Sequence, residues 1–189
     1  MENIVYFVAA FFLLVLAFVI FRIVVRRNYQ RKRRLTWLSV LLEFFIFALH
    51  ANFSYIYLPA EWPNLPMWPE NSLLNAIGLI MLVGGFVGVA IGMIGLGFKR
   101  LFGREVGEIK QTGLYGLSRN PQIIAYGIMV LGWAVLWPSW QGLGWVALYG
   151  VISHMMVITE EEYLREVDSE AYERYCEHVP RYISLFWRK

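Results

Sequence analysis

Five long apolar runs constrain this chain more than any other feature of its sequence. They cover residues 4–25, 35–57, 73–98, 122–137 and 142–159. A helix needs roughly 17–25 apolar residues to cross the hydrocarbon core of a bilayer, and only the fourth run is shorter than that. We therefore expect an all-α fold, an integral membrane bundle of five transmembrane helices with a C-terminal cytoplasmic amphipathic helix.

Composition supports a membrane protein. Hydrophobic residues make up 58% of the 189 residues and charged residues only 16%, with a mean hydropathy of +0.50, which is more apolar than a soluble domain. The N-terminus, MENIVYF, has no basic region and no evident cleavage site follows, so the first run is expected to stay as a helix rather than act as a removed signal peptide. The single cysteine, Cys176, excludes an intrachain disulfide and receives no catalytic role. No metal site is predicted.

The basic residues predict the orientation of the bundle. All 17 lysines and arginines fall within residues 22–34, 99–119 and 165–189. Cytoplasmic loops retain such residues, so five spans place the N-terminus outside and the C-terminus in the cytoplasm. The connection 58–72 is then external, with Trp62 and Trp68 in an interfacial belt. The net charge of +3 is explained by this rule and by anionic lipid, and nucleic acid is not an expected partner.

The stretch TGLYGLSRNPQ, residues 112–122, forms a polar turn before the fourth run. Pro121 suits the first position of a helix and Asn120 the N-cap before it. The fourth helix should therefore begin with unpaired N–H groups and a positive dipole end, which together favour an anion. A capped helix that enters the membrane, with Arg119 reaching lipid phosphate, explains the same residues.

Two further features should lie at the same end of the bundle. The third run ends in Gly95-Leu96-Gly97, where small residues admit a ligand or a close helix. Helix packing is also the alternative for the glycines upstream, which are Gly84, Gly85, Gly88 and Gly92. The fifth run ends in three glutamates, residues 160–162, which either bind a ligand or are simply solvated beside Arg165.

These motifs together resemble a family. The order GLG, TGLYGLSRNP, an apolar hairpin and EEEYLREVDSEAYERYCEHVPRY is similar to that of the membrane methyltransferases that include isoprenylcysteine carboxyl methyltransferases and phosphatidylethanolamine N-methyltransferases. The similarity covers residues 88–183 and implies S-adenosylmethionine as cofactor. The candidate cofactor-binding residues are Gly95, Gly97, Tyr115, Arg119, Asn120, Pro121, Gln122, Ile123, Glu160 and Glu161.

The resemblance suggests how these groups would divide the work. The N–H groups near Asn120 and Pro121 would receive the methionine carboxylate, while Glu160 and Glu161 would bind the ammonium group or ribose hydroxyls. Tyr115 would pack on the cofactor and offer a cation–π contact to the sulfonium. Residues 73–189 would form this cofactor-binding core, and residues 1–72 a helix pair on the substrate side.

Departures from the family pattern bear on the acceptor. The usual turn reads Arg-His-Pro, then one residue and then tyrosine. This chain has Arg119-Asn120-Pro121-Gln122-Ile123 and lacks both the imidazole and the phenol. Carboxyl methyltransferases also place an arginine four residues before the first glutamate, where this chain has Met156. A methionine cannot hold a carboxylate, which argues against a prenylcysteine carboxylate as the methyl acceptor and favours an amine or another lipid headgroup.

An amine acceptor needs a base, because its protonated form is not nucleophilic. Glu43 lies inside the second run, where an ionisable residue is a functional candidate, and His50 follows on a similar helix face. His154 in the fifth run is another candidate. Alternatively, Glu43 is protonated or hydrogen-bonded within the bundle.

Other functions stay open. They are carboxyl or thiol S-methylation of an isoprenylcysteine-like acceptor, a reductase with a nicotinamide cofactor, and a non-catalytic membrane scaffold.

The tail carries an apolar stripe of Leu164, Val167, Ala171 and Tyr175 at helical spacing, which predicts a helix along the membrane surface. Residues 181–189 are expected to form an interfacial anchor that closes the cofactor pocket. Oligomeric state cannot be inferred.

Overall fold

The computed structural model describes residues 2–34, 36–58, 64, 66–96 and 112–183, and all regular structure in these ranges is helical. The α-helices are α1 (Glu2–Phe18), α2 (Arg26–Lys32), α3 (Trp37–Asn52), α4 (Ser72–Leu96), α5 (Pro121–Leu136), α6 (Trp140–Val167) and α7 (Ser169–His178). A π-helical segment, Val19–Val25, joins α1 to α2, and single 3₁₀ turns occupy Phe53–Ile56 and Gly113–Gly116. The expected all-α class is confirmed.

Four helical stretches are long and apolar enough to cross a bilayer. They are Asn3–Lys32, Trp37–Ile56, Ser72–Gly95 and Trp140–Val167. Helix α5 has 16 residues, about 24 Å at 1.5 Å per residue, because Trp137 precedes a proline and leaves the helical conformation. The structure thus supports four spans, and the predicted count of five is not confirmed.

We call the two ends of the bundle the site end and the opposite end. At the site end, α3 begins after Thr36 and α5 begins after Asn120. Helices α2 and α6 finish at the same end, at Lys32 and Val167. The opposite end is where α5 finishes and α6 begins, close to Leu136 and Trp140. The short link from Trp137 to Ser139 between these two helices is the turn that the sequence WPSWQG predicts.

Helix α6 packs against most of the other helices. The main core joins aromatic and branched side chains of α1, the π-helical segment, α3 and α6, with Phe21, Ile46 and Ile152 fully buried. Arg22 of the π-helical segment donates to Thr159 Oγ1 at 3.0 Å and to Glu162 Oε1 at 2.7 Å. These contacts bind the N-terminal helices to the last turns of α6.

Helices α4 and α5 pack face to face through glycine. A Cβ atom on Gly85 would lie 2.6 Å from both Ala125 O and Met129 N, whereas one on Gly84 would meet nothing within 4 Å. Gly78, Gly88 and Gly92 also face α5 closely. The expectation that small residues of the third run serve helix packing therefore holds for these positions, and α4 in turn sits beside the start of α5.

The tail is not one continuous helix. Helix α6 ends at Val167, and Asp168 adopts an extended conformation in which its side chain accepts from Ala171 N and caps α7. The predicted stripe is therefore interrupted, because Val167 is exposed while Leu164 and Tyr175 join a small cluster around Tyr172. The placement of α7 on a membrane surface stays a prediction.

Candidate active site

The start of α5 has no side-chain cap. Asn120 occupies the N-cap position and Pro121 the first helical position, as the sequence predicts, but the Asn120 side chain makes no capping bond. It donates instead to Arg181 O at 3.1 Å. Within the described residues the backbone N–H groups of Gln122 and Ile123 have no acceptor, since the first bond of the helix runs from Ile124 N to Asn120 O. An oriented pair of free donors results.

The C-terminal segment crosses over this turn and is hydrogen-bonded to it. Arg119 N donates to Pro180 O at 3.0 Å, and Ser118 Oγ donates to Arg181 O at 3.3 Å. Tyr175 OH donates to Tyr115 O at 2.7 Å. Residues 179–181 thus act as a strap that holds the turn in place from outside the bundle.

The Glu161 carboxylate lies at the centre of an arginine cluster. Arg181 donates to it from Nε at 3.0 Å and from Nη2 at 2.7 Å, and Arg119 Nη1 lies 3.0 Å from its Oε1. Arg165 adds a weaker contact at 3.7 Å. The bond to Glu161 is the main reason that the pKa of Arg181 lies above its ordinary value. This carboxylate is buried and already neutralised by protein groups.

Glu160, one residue earlier, is in a different state. It has no hydrogen-bond or ion-pair partner among the residues that the structure describes, although Glu162 beside it binds Arg22 and Arg26 at 2.7 and 2.9 Å. Glu43 of α3 lies within electrostatic range of Glu160 and is likewise unpaired in the described part of the chain. The structure therefore places two half-buried carboxylates within electrostatic range of each other, and neither has an ion-pair partner among the described residues.

Aromatic rings surround the unpaired carboxylates. Tyr115 is buried and donates from its hydroxyl to Gln122 Oε1 at 2.9 Å. Burial raises its pKa, and the nearby charge of Glu160 raises it further, so the phenol stays neutral. Tyr29 is also within range of both Glu160 and Glu43, and its ring stacks on Tyr163 at 4.2 Å between centroids.

The remaining predicted residues lie apart from this centre or outside the described residues. His50 is fully buried toward the opposite end, where its Nε2 lies 3.0 Å from Trp145 O and its ring stacks on the Trp145 indole. Trp145 precedes Glu160 by fifteen positions, about 22 Å along α6. His154 Nδ1 lies 3.0 Å from Tyr182 OH on an exposed face. Gly95 lies in the last turn of α4, at the site end of the bundle, and Gly97 lies outside the described residues.

Sequence reasoning missed three contributors to this centre. Arg181 was expected in an anchor that closes the pocket, but not as a binding partner, and its carbonyl and guanidinium both contact the site. Arg22 and Tyr29 were not considered, because the resemblance does not reach the first run. An arginine inside an apolar run was the available signal for Arg22, since such a charge must find a partner within the bundle.

Comparison with known proteins agrees with this geometry. The model of the family described as PEMT, phospholipid methyltransferase, matches residues 73–170, which is just over half of the chain. The chain belongs to the phospholipid methyltransferase family. It is accordingly a multi-pass membrane methyltransferase that acts on lipid, as the resemblance implies. No curated protein and no solved structure matches it.

The matched range divides the site. It includes α4, the turn at 112–122, α5 and the three glutamates of α6, and it ends before the strap at 179–181. Glu43, Tyr29 and Arg22 lie before it. The family thus accounts for one wall of the centre, while the opposite wall is provided by the N-terminal helices of this chain.

Proposed function

We propose that this family member transfers a methyl group from S-adenosylmethionine to the amine headgroup of a membrane phospholipid, at the site end of the bundle and on the cytoplasmic side. The pair formed by Glu43 and Glu160 carries this proposal. Two uncompensated carboxylates inside a membrane bundle are costly, and a cationic ligand between them removes that cost. An amine headgroup and a sulfonium cofactor are both cationic.

The residues present fit the cofactor. The free N–H groups of Gln122 and Ile123 at the positive end of α5 suit a carboxylate, and Glu160 suits an ammonium group or ribose hydroxyls. When bound, S-adenosylmethionine supplies a methyl carbon whose bond to sulfur breaks as the new bond to nitrogen forms. Tyr115 forms an aromatic wall for the cation, and its bond to Gln122 fixes the ring.

Glu161 takes a supporting role in this proposal. Its predicted contact with the cofactor stays a prediction, but its carboxylate already holds Arg119 and Arg181. These arginines connect the end of α6 to the start of α5 through the strap. Glu161 therefore fixes the distance between the free N–H groups and the Glu160 carboxylate.

Glu43 is the base in the proposed reaction. The headgroup ammonium must lose a proton before its nitrogen lone pair can attack the methyl carbon. Glu43 approaches Glu160 from the side of the N-terminal helices, which is where a lipid acceptor would enter. Neither His50 nor His154 approaches this pair, so we assign no base role to them.

A labelling assay in vesicles tests the proposal. The purified protein is incubated with methyl-labelled S-adenosylmethionine in vesicles that contain either phosphatidylethanolamine or only phosphatidylcholine. We expect label in the lipid extract of the first vesicles alone. A parallel incubation contains a reduced nicotinamide cofactor, and its oxidation would instead support a reductase. Binding of neither cofactor would support a non-catalytic scaffold.

Two variants separate the assigned roles. Glu160→Gln should abolish measurable S-adenosylmethionine binding in calorimetry, whereas Glu43→Gln should leave binding intact and slow transfer by about 100-fold. Glu166→Gln is the matched control, because Glu166 lies on the same helix at an exposed position. Wild-type binding by Glu160→Gln, or wild-type transfer by Glu43→Gln, would remove the corresponding role.

A further inference from the structure

A cavity lies away from the active site, in the half of the bundle toward the opposite end. It has a volume of about 340 Å³, within the range of ligand pockets. Its walls come from the end of α3, the middle of α4, one face of α5 and Trp145 of α6. None of the residues assigned to methyl transfer lines it.

The shape of the cavity follows the helices. Helix α5 contributes Tyr126, Met129, Val130 and Trp133, which share one helix face because they are spaced by three and four residues. This face extends about 10 Å along the α5 axis at 1.5 Å per residue. An elongated apolar space parallel to the membrane-spanning helices matches a chain that runs along the bilayer normal.

The cavity borders the lipid side of the bundle. Helices α3 and α4 make no extensive contact with one another in the part of the chain that the structure describes. The cavity lies where they separate, between Ala51 on α3, which is exposed, and Leu82 on α4. A hydrocarbon chain can therefore enter sideways from the bilayer without passing through water.

Tryptophans mark this level of the bundle. Trp133 and Trp145 line the cavity, and the centroids of the Trp133 and Trp137 rings lie 4.6 Å apart. Trp137 Nε1 donates to Met67 O and Trp145 Nε1 donates to His50 O, while Trp133 Nε1 is buried away from the cavity surface. The tryptophan rings therefore present apolar surface to an occupant.

We infer that this cavity binds an acyl chain of a bilayer glycerophospholipid, whose ester end lies at the level of Trp133 while the chain extends toward Tyr126. Tryptophan-rich belts lie at the interfacial level of the bilayer, which is also the level of ester carbonyls. This lipid is separate from the methyl acceptor. It fills the gap between α3 and the α4–α5 pair from the end opposite the active site.

Photo-crosslinking with a phosphatidylcholine that carries a diazirine on its acyl chain tests this site. The headgroup of this probe is already fully methylated, so the result does not depend on the proposed methyl transfer. We expect saturable labelling of peptides from residues 51–55 and 126–133. Ala51→Phe, which fills the cavity, should reduce it at least fivefold, while Ala48→Phe, at an exposed α3 position outside the lining, should not. Labelling that is not saturable, that maps only to the site end, or that is unchanged by Ala51→Phe would overturn the proposal.

Discussion

The starts of α5 and α6 lie at opposite ends of the bundle and are built in opposite ways. Ser139 caps α6 by accepting from Gly142 N at 3.0 Å, whereas Asn120 leaves α5 uncapped. Three other helix starts resemble α6, since Thr36, Asn71 and Asp168 accept from the first turns of α3, α4 and α7.

This difference shows what a capped helix start cannot do. At α6 the side-chain oxygen satisfies a donor that would otherwise bind a ligand. At α5 the donors are left free, and the turn is held instead by the strap, by Arg119 and by the glycine face of α4. Stability and ligand binding are thus supplied by different residues at α5, so substitutions should separate them.

The largest effect is expected from removing the charge that holds the strap. Glu161→Gln leaves Arg119 and Arg181 without their shared carboxylate, and breaking a buried ion pair in this way costs about 3 kcal/mol or more. Thermal unfolding in detergent should show the loss. The control is Glu170→Gln, because the Glu170 side chain is 88% exposed and pairs with Arg174 on the surface. Equal melting temperatures for the two variants would contradict the role of Glu161.

The glycine face of α4 gives the next largest effect. Gly85→Ala places a methyl group against the α5 backbone, and overpacking of this kind costs about 2 kcal/mol. Gly84→Ala, one position away, points its methyl group into open space and should change stability by less than about 0.5 kcal/mol. The same unfolding measurement compares them, and a tolerated Gly85→Ala would show that α4 and α5 pack less closely.

A charge at the uncapped start should affect binding more than any other change at this turn. Asn120→Asp removes the hydrogen bond to Arg181 O and sets a carboxylate beside the proposed site of the methionine carboxylate. S-adenosylmethionine binding should weaken about tenfold, the size of a like-charge contact in a partly solvated site. Ser139→Asp places the same charge at the capped start of α6 and should leave calorimetric affinity unchanged. Equal affinities in all three proteins would argue against an anion site at α5.

The smallest effect is expected at the capped start. Ser139→Ala removes the bond to Gly142 N and should lower the free energy of unfolding by about 1 kcal/mol, with unaltered cofactor affinity. Ser169→Ala, at an exposed position after the Asp168 cap of α7, is the control and should change little. A Ser139→Ala variant that loses cofactor binding would mean that the two helix starts are not independent.

Most of the fold follows from local sequence. Apolar runs require helices because a bilayer offers the backbone N–H and C=O groups no hydrogen-bond partners of its own. The predicted bounds of α5 differ from the observed ones by one residue at each end. The shortness of α5 was also visible, since a proline ends it. The break at Asp168 was missed, because an apolar stripe at helical spacing does not reveal where one helix ends and its successor begins.

The candidate site was predictable only in part. Motif resemblance pointed to the start of α5 and to the three glutamates, which are close in space through Arg119 and Arg181. It assigned both Glu160 and Glu161 to the cofactor and did not show that arginines already hold Glu161. The partners of Glu161 and Glu162 come from the π-helical segment, α2, the turn before α5 and the tail, which are distant from these glutamates in the chain.

The sequence by itself therefore indicated that this chain lies in a bilayer, predicted most of its helices and its family, and pointed to the end of the bundle at which we propose the chemistry, because hydropathy, caps and motifs act over a few residues. Only the tertiary structure decided which carboxylates are neutralised and which helix start keeps its donors. The reason is that an ion pair or a hydrogen bond depends on the distance between two side chains. That distance is set by packing between helices and not by their separation in the sequence.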